Sequence, residues 1–417
     1  METVHSYKNS ALFELLSPES PGGNISECLT CGICNSRCSW YAEQGGPVPR
    51  RMVRMALLGL EDLLAKSPML WNCHLCNRCT LECPMGIDME RVVRKARSLP
   101  NTMDMVPKDL IKGIETRLMV GDVNGLTKDE FVETIEWLSE EFADEIDDPE
   151  AHIPYDQENT RFLYLPNPRE LGMNLLHLTA MAGLFHAFGE SWTMSSRHTD
   201  VTNWGYFRGD DETTRKMALQ VVEATEDLGA ETLVLSECGH GYYVLKTLME
   251  KLIGRSPEFS VTSMPELALE MMEKGVIEFD PSTHPYPIAY HDSCHFGRKS
   301  GIFDGPRKLL SNCCQEVAEL DPNRLHSICC GGGGGMIQDS TSTKRRMLAG
   351  KAKAEQMRAV GLKHIATTCL SCHRQLTELS KHYDLNMQVH TVAALAAEAR
   401  VKKRDERAYA KRNTDHP

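Results

Sequence analysis

The sequence lacks a stretch suited to crossing a membrane. Its longest weakly polar run, LGMNLLHLTAMAGLFHAF (171–188), is broken by Asn174, His177 and His186. It reads as a buried helix, because a spanning helix needs roughly 20 predominantly apolar residues. The start, METVHSYKNSALFELL, has no charged segment followed by an apolar one, so no secretory leader is expected. No G-x-G-x-x-G follows a strand. GGGGGM (331–336) comes after cysteines instead, and no flavin or nicotinamide site is indicated. Positive charge is also short. A net charge of −12 argues against nucleic acid as the main partner. The expectation is a cytoplasmic chain, attached to the inner face of a membrane, if at all, through partner subunits.

What the sequence has is cysteine, 16 in 417 residues. Without an export signal these read as metal ligands rather than disulfides. CLTCGICNSRC supplies Cys28, Cys31, Cys34 and Cys38, and CHLCNRCTLECP supplies Cys73, Cys76, Cys79 and Cys83. Both follow C-x2-C-x2-C-x3-C, the spacing in which the fourth cysteine serves the other cluster of a two-cluster ferredoxin. One 4Fe–4S cubane is expected on Cys28, Cys31, Cys34 and Cys83, and another on Cys73, Cys76, Cys79 and Cys38. Zinc is the alternative occupant. The apolar spacing between the quartets (Met52, Met55, Leu58, Leu60, Leu63, Leu64) is helical, so residues 1–105 read as a helical ferredoxin domain. Four ligands per cluster leave no open position, which points to electron relay.

Residues 106–155 read as an acidic helical linker. Eleven Asp and Glu fall in 127–150, around an apolar stripe of Phe131, Ile135, Leu138 and Phe142. The end of the chain, 399–417, is a basic tail.

Between these segments, β-like runs alternate with helices. RFLYLPN, ETLVLSE, FSVTSM, PIAYHDSC, HSICC, HIATTC and MQVHTV read as strands, the pattern of parallel-sheet α/β units. Such sheets bind ligands at the C-terminal ends of their strands. Five cysteines gather there: Cys294, Cys329 and Cys330, Cys369, and Cys372 one turn on. The glycines that follow, Gly331 and Gly332 first, read as a sharp turn around a bulky cluster; a flexible loop behind a buried pair is the plainer alternative, and zinc on four of the five thiols another. The same spacing occurs earlier without the cysteines. Pro168 stands for Cys294, Asn203-Trp204-Gly205 for Cys329-Cys330-Gly331, Glu237 for Cys369 and His240 for Cys372. The expected architecture is therefore an α+β multidomain chain: the ferredoxin domain, a degenerate α/β module at 156–280 and a cluster-bearing module at 281–398. Cys238 is a candidate redox thiol or an inert one. Cys313 and Cys314 read as structural. His240 and His295 are the candidate general acids, since histidine titrates near neutral pH; His291 and His373 also flank the ligand cysteines.

Two ferredoxin quartets followed by CCG modules resemble the D-type chain of heterodisulfide reductase, in which a ferredoxin part is fused to a catalytic part. The pattern PRRMVRMALLG…WNCHLCNRCTLECP is especially similar, and the resemblance covers about residues 20–395. A single intact CCG set with an ECGH element is closer to the cytoplasmic subunits of the Dsr, Hmc and Tmc transmembrane redox complexes of sulfate reducers. The resemblance implies a noncubane 4Fe–4S cluster on the five cysteines and disulfide cleavage beside it. It also implies a membrane b-type cytochrome partner, with multihaem cytochrome c subunits possible, and a thiol or disulfide substrate that is a small molecule or a small protein. Two other readings remain open: an electron-transfer subunit without a substrate, and the iron–sulfur subunit of a flavin dehydrogenase that delivers electrons to quinone.

Overall fold

The computed structural model of the chain describes Leu12, Leu16, residues 25–40 and residues 48–401. The basic tail beyond Val401 lies outside the described residues. Among them no strand precedes Phe162, as expected of a helical ferredoxin. Helix Pro49–Leu57 begins on a proline, whose missing N–H is unused in a first turn, and turns Met52, Val53, Met55 and Ala56 inward. It packs on helix Met89–Ser98, which is capped by Asp88 accepting from Arg91 N at 3.0 Å.

Residues 106–155 are packed rather than extended between domains. Helix Lys108–Val120 lies against the first α/β module so closely that a Cβ on Gly113 would enter the Trp204 ring. Helix Lys128–Ile146 opens in a capping box of Thr127 and Glu130. Its Phe131, Ile135, Leu138 and Phe142 are buried against helix Leu175–Phe188, while its acidic residues face solvent. Each such burial contributes about 1.5–3 kcal/mol, enough for four of them to hold this helix on the module.

Two parallel four-stranded sheets follow. β1 (Phe162–Leu165), β2 (Trp192–Thr193), β3 (Thr232–Leu235) and β4 (Ser260–Ser263) lie in the order β2-β1-β3-β4. β5 (Pro287–His291), β6 (Glu316–Glu319), β7 (His364–Thr367) and β8 (Gln388–Thr391) lie in the order β6-β5-β7-β8. The register repeats as well. Phe162 pairs with Trp192 and Thr232, and Ile288 pairs with Val317 and His364. Setting Phe162 on Ile288 puts Pro168 on Cys294; setting Thr232 on His364 puts Glu237 on Cys369 and His240 on Cys372. The duplication inferred from spacing is thus a duplication of strand pairing. Helices Leu175–Phe188 and Val392–Ala399 pack together, so the two modules share one apolar core.

Three local expectations change. HSICC is a loop, not a strand: Arg298 takes the carbonyls of Leu325 and Ser327, and the Ser327 hydroxyl donates to Asp292 O at 3.1 Å. Side chains here replace a sheet ladder. The edge strands β2 and β6, short and polar respectively, were not expected. The helix read through TKRRMLAGKAKAEQMRAVG divides at Gly350 into Thr343–Ala349 and Lys351–Val360. Gly350 backs onto the cysteine loop, where a Cβ would lie 2.9 Å from Cys330 O.

Candidate metal centres and their junction

The quartets are built alike. The second and fourth residues after the first cysteine are left-handed in both: Thr30 and Gly32 in one, Leu75 and Asn77 in the other. Leucine pays a steric penalty in that region, so Leu75 alone does not favour this loop shape. A one-turn helix follows each, Ile33–Ser36 and Arg78–Leu81, and carries the fourth cysteine away from its own three. The Cys34 thiol, raised by burial, also feels the charges of Cys28, Cys31 and Cys83. Cys38, raised by burial, feels those of Cys76 and Cys73 ahead of that of Cys34. Sulfurs thus gather in the crossed sets that the spacing suggests, and the donor chemistry fits iron–sulfur clusters. The two sets differ in setting: Cys31 is exposed, whereas Cys73, Cys76 and Cys79 sit deeper, beside the α/β modules.

Cys294 follows β5 and Cys369 follows β7; Cys329 and Cys330 come from the loop after β6, and Cys372 lies one turn into helix Leu370–His382. All five line one cavity, with Gly332, Gly333, His240 and His295. Cys330 Sγ lies 3.4 Å from Cys372 Sγ, and Gly331 N donates to Cys329 Sγ at 3.4 Å. Hydrogen bonds from Cys329 and then Cys372 hold the Cys330 thiol well below its ordinary range, and one from Cys372 lowers Cys369. Thiols sharing protons this closely are suited to a shared cation. His291, expected only as a histidine flanking the ligand cysteines and not as a donor to the site, has a ring nitrogen within 4.8 Å of the Cys330 and Cys372 sulfurs. Both its ring nitrogens are buried without a hydrogen-bond partner among the described residues. Orphaned polar atoms around a thiol-lined cavity fit a site built for a polar inorganic group.

The glycine run has a further use that the sequence did not disclose. Gly331, Gly334 and Gly335 take φ of 93°, 65° and 91°, where a side chain is strained. Gly333 and Gly334 lie on the backbone of the second quartet: a Cβ on Gly333 would stand 2.7 Å from His74 O, and one on Gly334 would collide with Cys73 O. The loop that carries Cys329 and Cys330 is therefore also the seat of the ferredoxin domain. In consequence His74 Nδ1 lies 3.5 Å from Cys329 Sγ, and Cys76 and Cys329 line the same groove. The second quartet touches the CCG set directly. A groove lined by Cys38, Cys76 and Cys329, with Arg37, Arg78 and Lys351, opens this junction to the surface.

His240 and His295 both line the CCG cavity, as expected, but neither is poised to titrate. Burial, and then the Lys299 ammonium, pushes His240 down to about 3 and His295 well below its usual range. They are neutral imidazoles. His295 Nδ1 lies 3.3 Å from Cys294 Sγ, and its Nε2 lies 3.2 Å from Lys299 Nζ. Lys299 in turn pairs with Glu90 of the ferredoxin domain at 2.6 Å and donates to Tyr206 Oη at 2.8 Å. Lys299 and Glu90 carried no motif and were not anticipated. His373 is turned away, to Val389 O at 3.0 Å. Cys238 is buried 3.5 Å from His240 Nδ1, and burial, then the Cys369 charge, raises its thiol. Cys313 and Cys314 are buried in the core the modules share.

At the lost-ligand positions of the first module, the side chains have become structure. Pro168 starts a short helix, and Asn203 caps another through Tyr206 N at 3.3 Å. Glu237 Oε1 accepts from Val392 N and Ala393 N, at 3.0 and 3.3 Å, at the start of the second module's last helix. Glu237 O accepts from Leu370 N at 2.7 Å, immediately after Cys369. The first copy thus braces the second copy's cysteines.

Comparison with known proteins agrees with this layout. Residues 24–87 match the 4Fe-4S dicluster domain, and residues 288–377 match the cysteine-rich CCG domain. Hdr-like menaquinol oxidoreductase iron-sulfur subunit 2 of Archaeoglobus fulgidus is 23% identical over 87% of this chain and 77% of its own length. The D-type chain of the dihydromethanophenazine:CoB--CoM heterodisulfide reductase of Methanosarcina mazei is 23% identical over 90% of this chain and 94% of its own. EtfAB:quinone oxidoreductase of Syntrophomonas wolfei is 23% identical over 73% of this chain and 43% of its own. The chain is thus similar to iron–sulfur subunits of heterodisulfide reductase-like complexes and carries a 4Fe-4S dicluster domain and a CCG domain. No helix among the described residues is long and apolar enough to cross a membrane.

Proposed function

We propose that the chain passes electrons singly through two cubane 4Fe–4S clusters to a noncubane 4Fe–4S cluster, where a disulfide is reduced or, in reverse, two thiols are oxidised. Cys28, Cys31, Cys34 and Cys83 would hold the first cubane; Cys38, Cys73, Cys76 and Cys79 the second; Cys294, Cys329, Cys330, Cys369 and Cys372 the third cluster. The contact of His74 Nδ1 with Cys329 Sγ at 3.5 Å, beside a groove that Cys76 and Cys329 line together, carries this reading, because it sets the second ferredoxin site against the CCG set. When bound, the clusters supply one-electron redox capacity and, at the CCG site, an iron that a substrate sulfur can approach.

Cleaving R–S–S–R′ to two thiols takes two electrons and two protons, so carriers in series suit it. The groove at Cys329 gives the substrate an approach. His295 is held by Lys299, and the run Cys294–His295–Lys299–Glu90 forms a continuous polar path from the site into the ferredoxin domain. The chain's relatives include subunits named for menaquinol and dihydromethanophenazine reactions, which supports a membrane partner of the b-type cytochrome class and peripheral attachment to the cytoplasmic face. Burial of Cys330, Cys369 and Cys372 favours the second reading, in which the third cluster is a relay without a substrate.

The test is viologen-driven reduction of small disulfides by the anaerobic holoprotein and by Cys330→Ser. Disulfide turnover is expected in the wild type and at least 100-fold less in the variant, with both ferredoxin EPR signals intact. Wild-type protein that takes up electrons at all three sites yet turns over no disulfide contradicts the substrate reading and leaves the relay.

A further inference from the structure

Two arginines donate to the backbone of the second quartet. Arg97, at the end of helix Met89–Ser98, is fully buried. It donates to Cys73 O at 2.8 Å, to Leu70 O at 3.1 and 2.9 Å, to Phe207 O at 2.7 Å and to Gly334 O at 3.0 Å. Arg298, from the second α/β module, donates to Cys76 O at 2.7 Å, Ser327 O at 2.6 Å and Leu325 O at 2.8 Å. The arrangement is reciprocal: a ferredoxin arginine reaches the glycine loop, and a CCG-module arginine reaches the ferredoxin quartet.

Every hydrogen-bond partner is neutral: backbone carbonyls and, for Arg298, also Ser327 Oγ at 3.4 Å. Among the described residues neither guanidinium forms an ion pair with a carboxylate. A guanidinium keeps its charge in a protein. A buried charge without a counter-ion costs several kcal/mol. Neutral carbonyls satisfy its N–H groups but do not balance its charge. The missing negative charge has one evident place, the thiolate set that these arginines enclose. Among the described residues the first quartet has no such enclosure. Arg50 reaches Thr30 O there at a longer 3.4 Å from an exposed position, and Arg37 is 52% exposed.

We propose that Arg97 and Arg298 are positioning residues that serve as the built-in counter-charge of the second iron–sulfur site, raise its reduction potential and fix it against the CCG loop. The proposal rests on the reading that Cys38, Cys73, Cys76 and Cys79 hold one 4Fe–4S cluster. Reduction adds negative charge to a site, so a fixed cation beside it favours the reduced form, and the weak screening of a buried setting strengthens the effect. The reduced second site is then the waiting electron store beside Cys329.

The experiment is a redox titration of the holoprotein followed by EPR, reading both ferredoxin sites in wild type, Arg298→Gln, Arg97→Met and Arg97→Lys. Removing either charge is expected to shift the second site's reduction equilibrium at least about tenfold toward the oxidised form, a midpoint lower by about 59 mV for one electron. The first site should not move, and Arg97→Lys should keep most of the wild-type value. Arg298→Gln, at the less buried arginine, carries the test if Arg97→Met fails to fold. An unchanged second midpoint in Arg298→Gln with intact spectra overturns the proposal, as does an equal shift at both sites. Wild-type protein that binds no iron at the second quartet overturns the underlying relay reading together with the proposal.

Discussion

The two α/β modules have the same strand order and residue-for-residue register, yet only one gathers cysteines at its strand ends. Where the second module has Cys369 and Cys372, the first has Glu237 and His240. Where the second leaves a thiol-lined cavity, the first has filled the space with hydrogen bonds. Scaffold and site are therefore separable. Strand pairing preserves the sheet, while the residues just past the strands are free to become ligands or braces. The brace is not idle, since Glu237 meets Leu370 next to a ligand cysteine.

That contrast is most sharply tested at Glu237 itself. Glu237→Ala leaves Val392 N and Ala393 N unpaired and removes a carboxylate 3.6 Å from His177 Nε2. A loss of about 3–5 kcal/mol in unfolding free energy is expected, the range for breaking a buried charged network. Cys369→Ala at the matching position should instead remove iron and leave the iron-free chain's urea midpoint nearly unchanged. Equal destabilisation by both would erase the distinction between brace and ligand.

A smaller effect is expected at the seat of the ferredoxin domain. Gly334→Ala places a Cβ against Cys73 O at a left-handed φ and should cost about 1–3 kcal/mol. It should also weaken the magnetic coupling between the second ferredoxin site and the CCG site, read by pulsed EPR. Gly254→Ala, also left-handed but with open space around it, is the control for strain alone and should leave the coupling intact.

The mildest change is a slope. Burial alone would lower His177, but Glu170 at 2.8 Å, helped by Glu237, raises it to about 10. Tyr164 and Ser236 complete the network on Glu170. A folded pKa above the unfolded value of about 6.5 contributes stability in full below that pH and loses it as pH rises through about 10. Urea midpoints of the wild type should therefore fall between pH 7 and 10, and His177→Gln should flatten that fall. An unchanged slope would show that the pair does not form as described.

Much of this was legible in sequence because it is local. The cysteine spacings define their own loops, and the repeated distance from Pro168 to Asn203 and from Cys294 to Cys329 disclosed the duplication. What could not be read joins distant residues. Gly334 needs no side chain because Cys73, far away in sequence, occupies that space. Arg97, Lys299 and Glu90 sit in ordinary helical contexts, and only docking gives them partners. HSICC has strand composition, but Arg298 takes the Ser327 carbonyl and, just before the stretch, that of Leu325. Trp192–Thr193 is too short to show an alternation, and Glu316–Glu319 is too polar.

The most direct test of the central claim is an iron count with EPR on anaerobically purified protein, oxidised in the presence and absence of small thiols. The account predicts about twelve irons per chain, for three four-iron clusters, and an oxidised-state signal that thiols alter in wild type but not in Cys330→Ser. About eight irons with two normal ferredoxin signals and no thiol response would contradict it, because the five cysteines around the CCG cavity would then not form a cluster site.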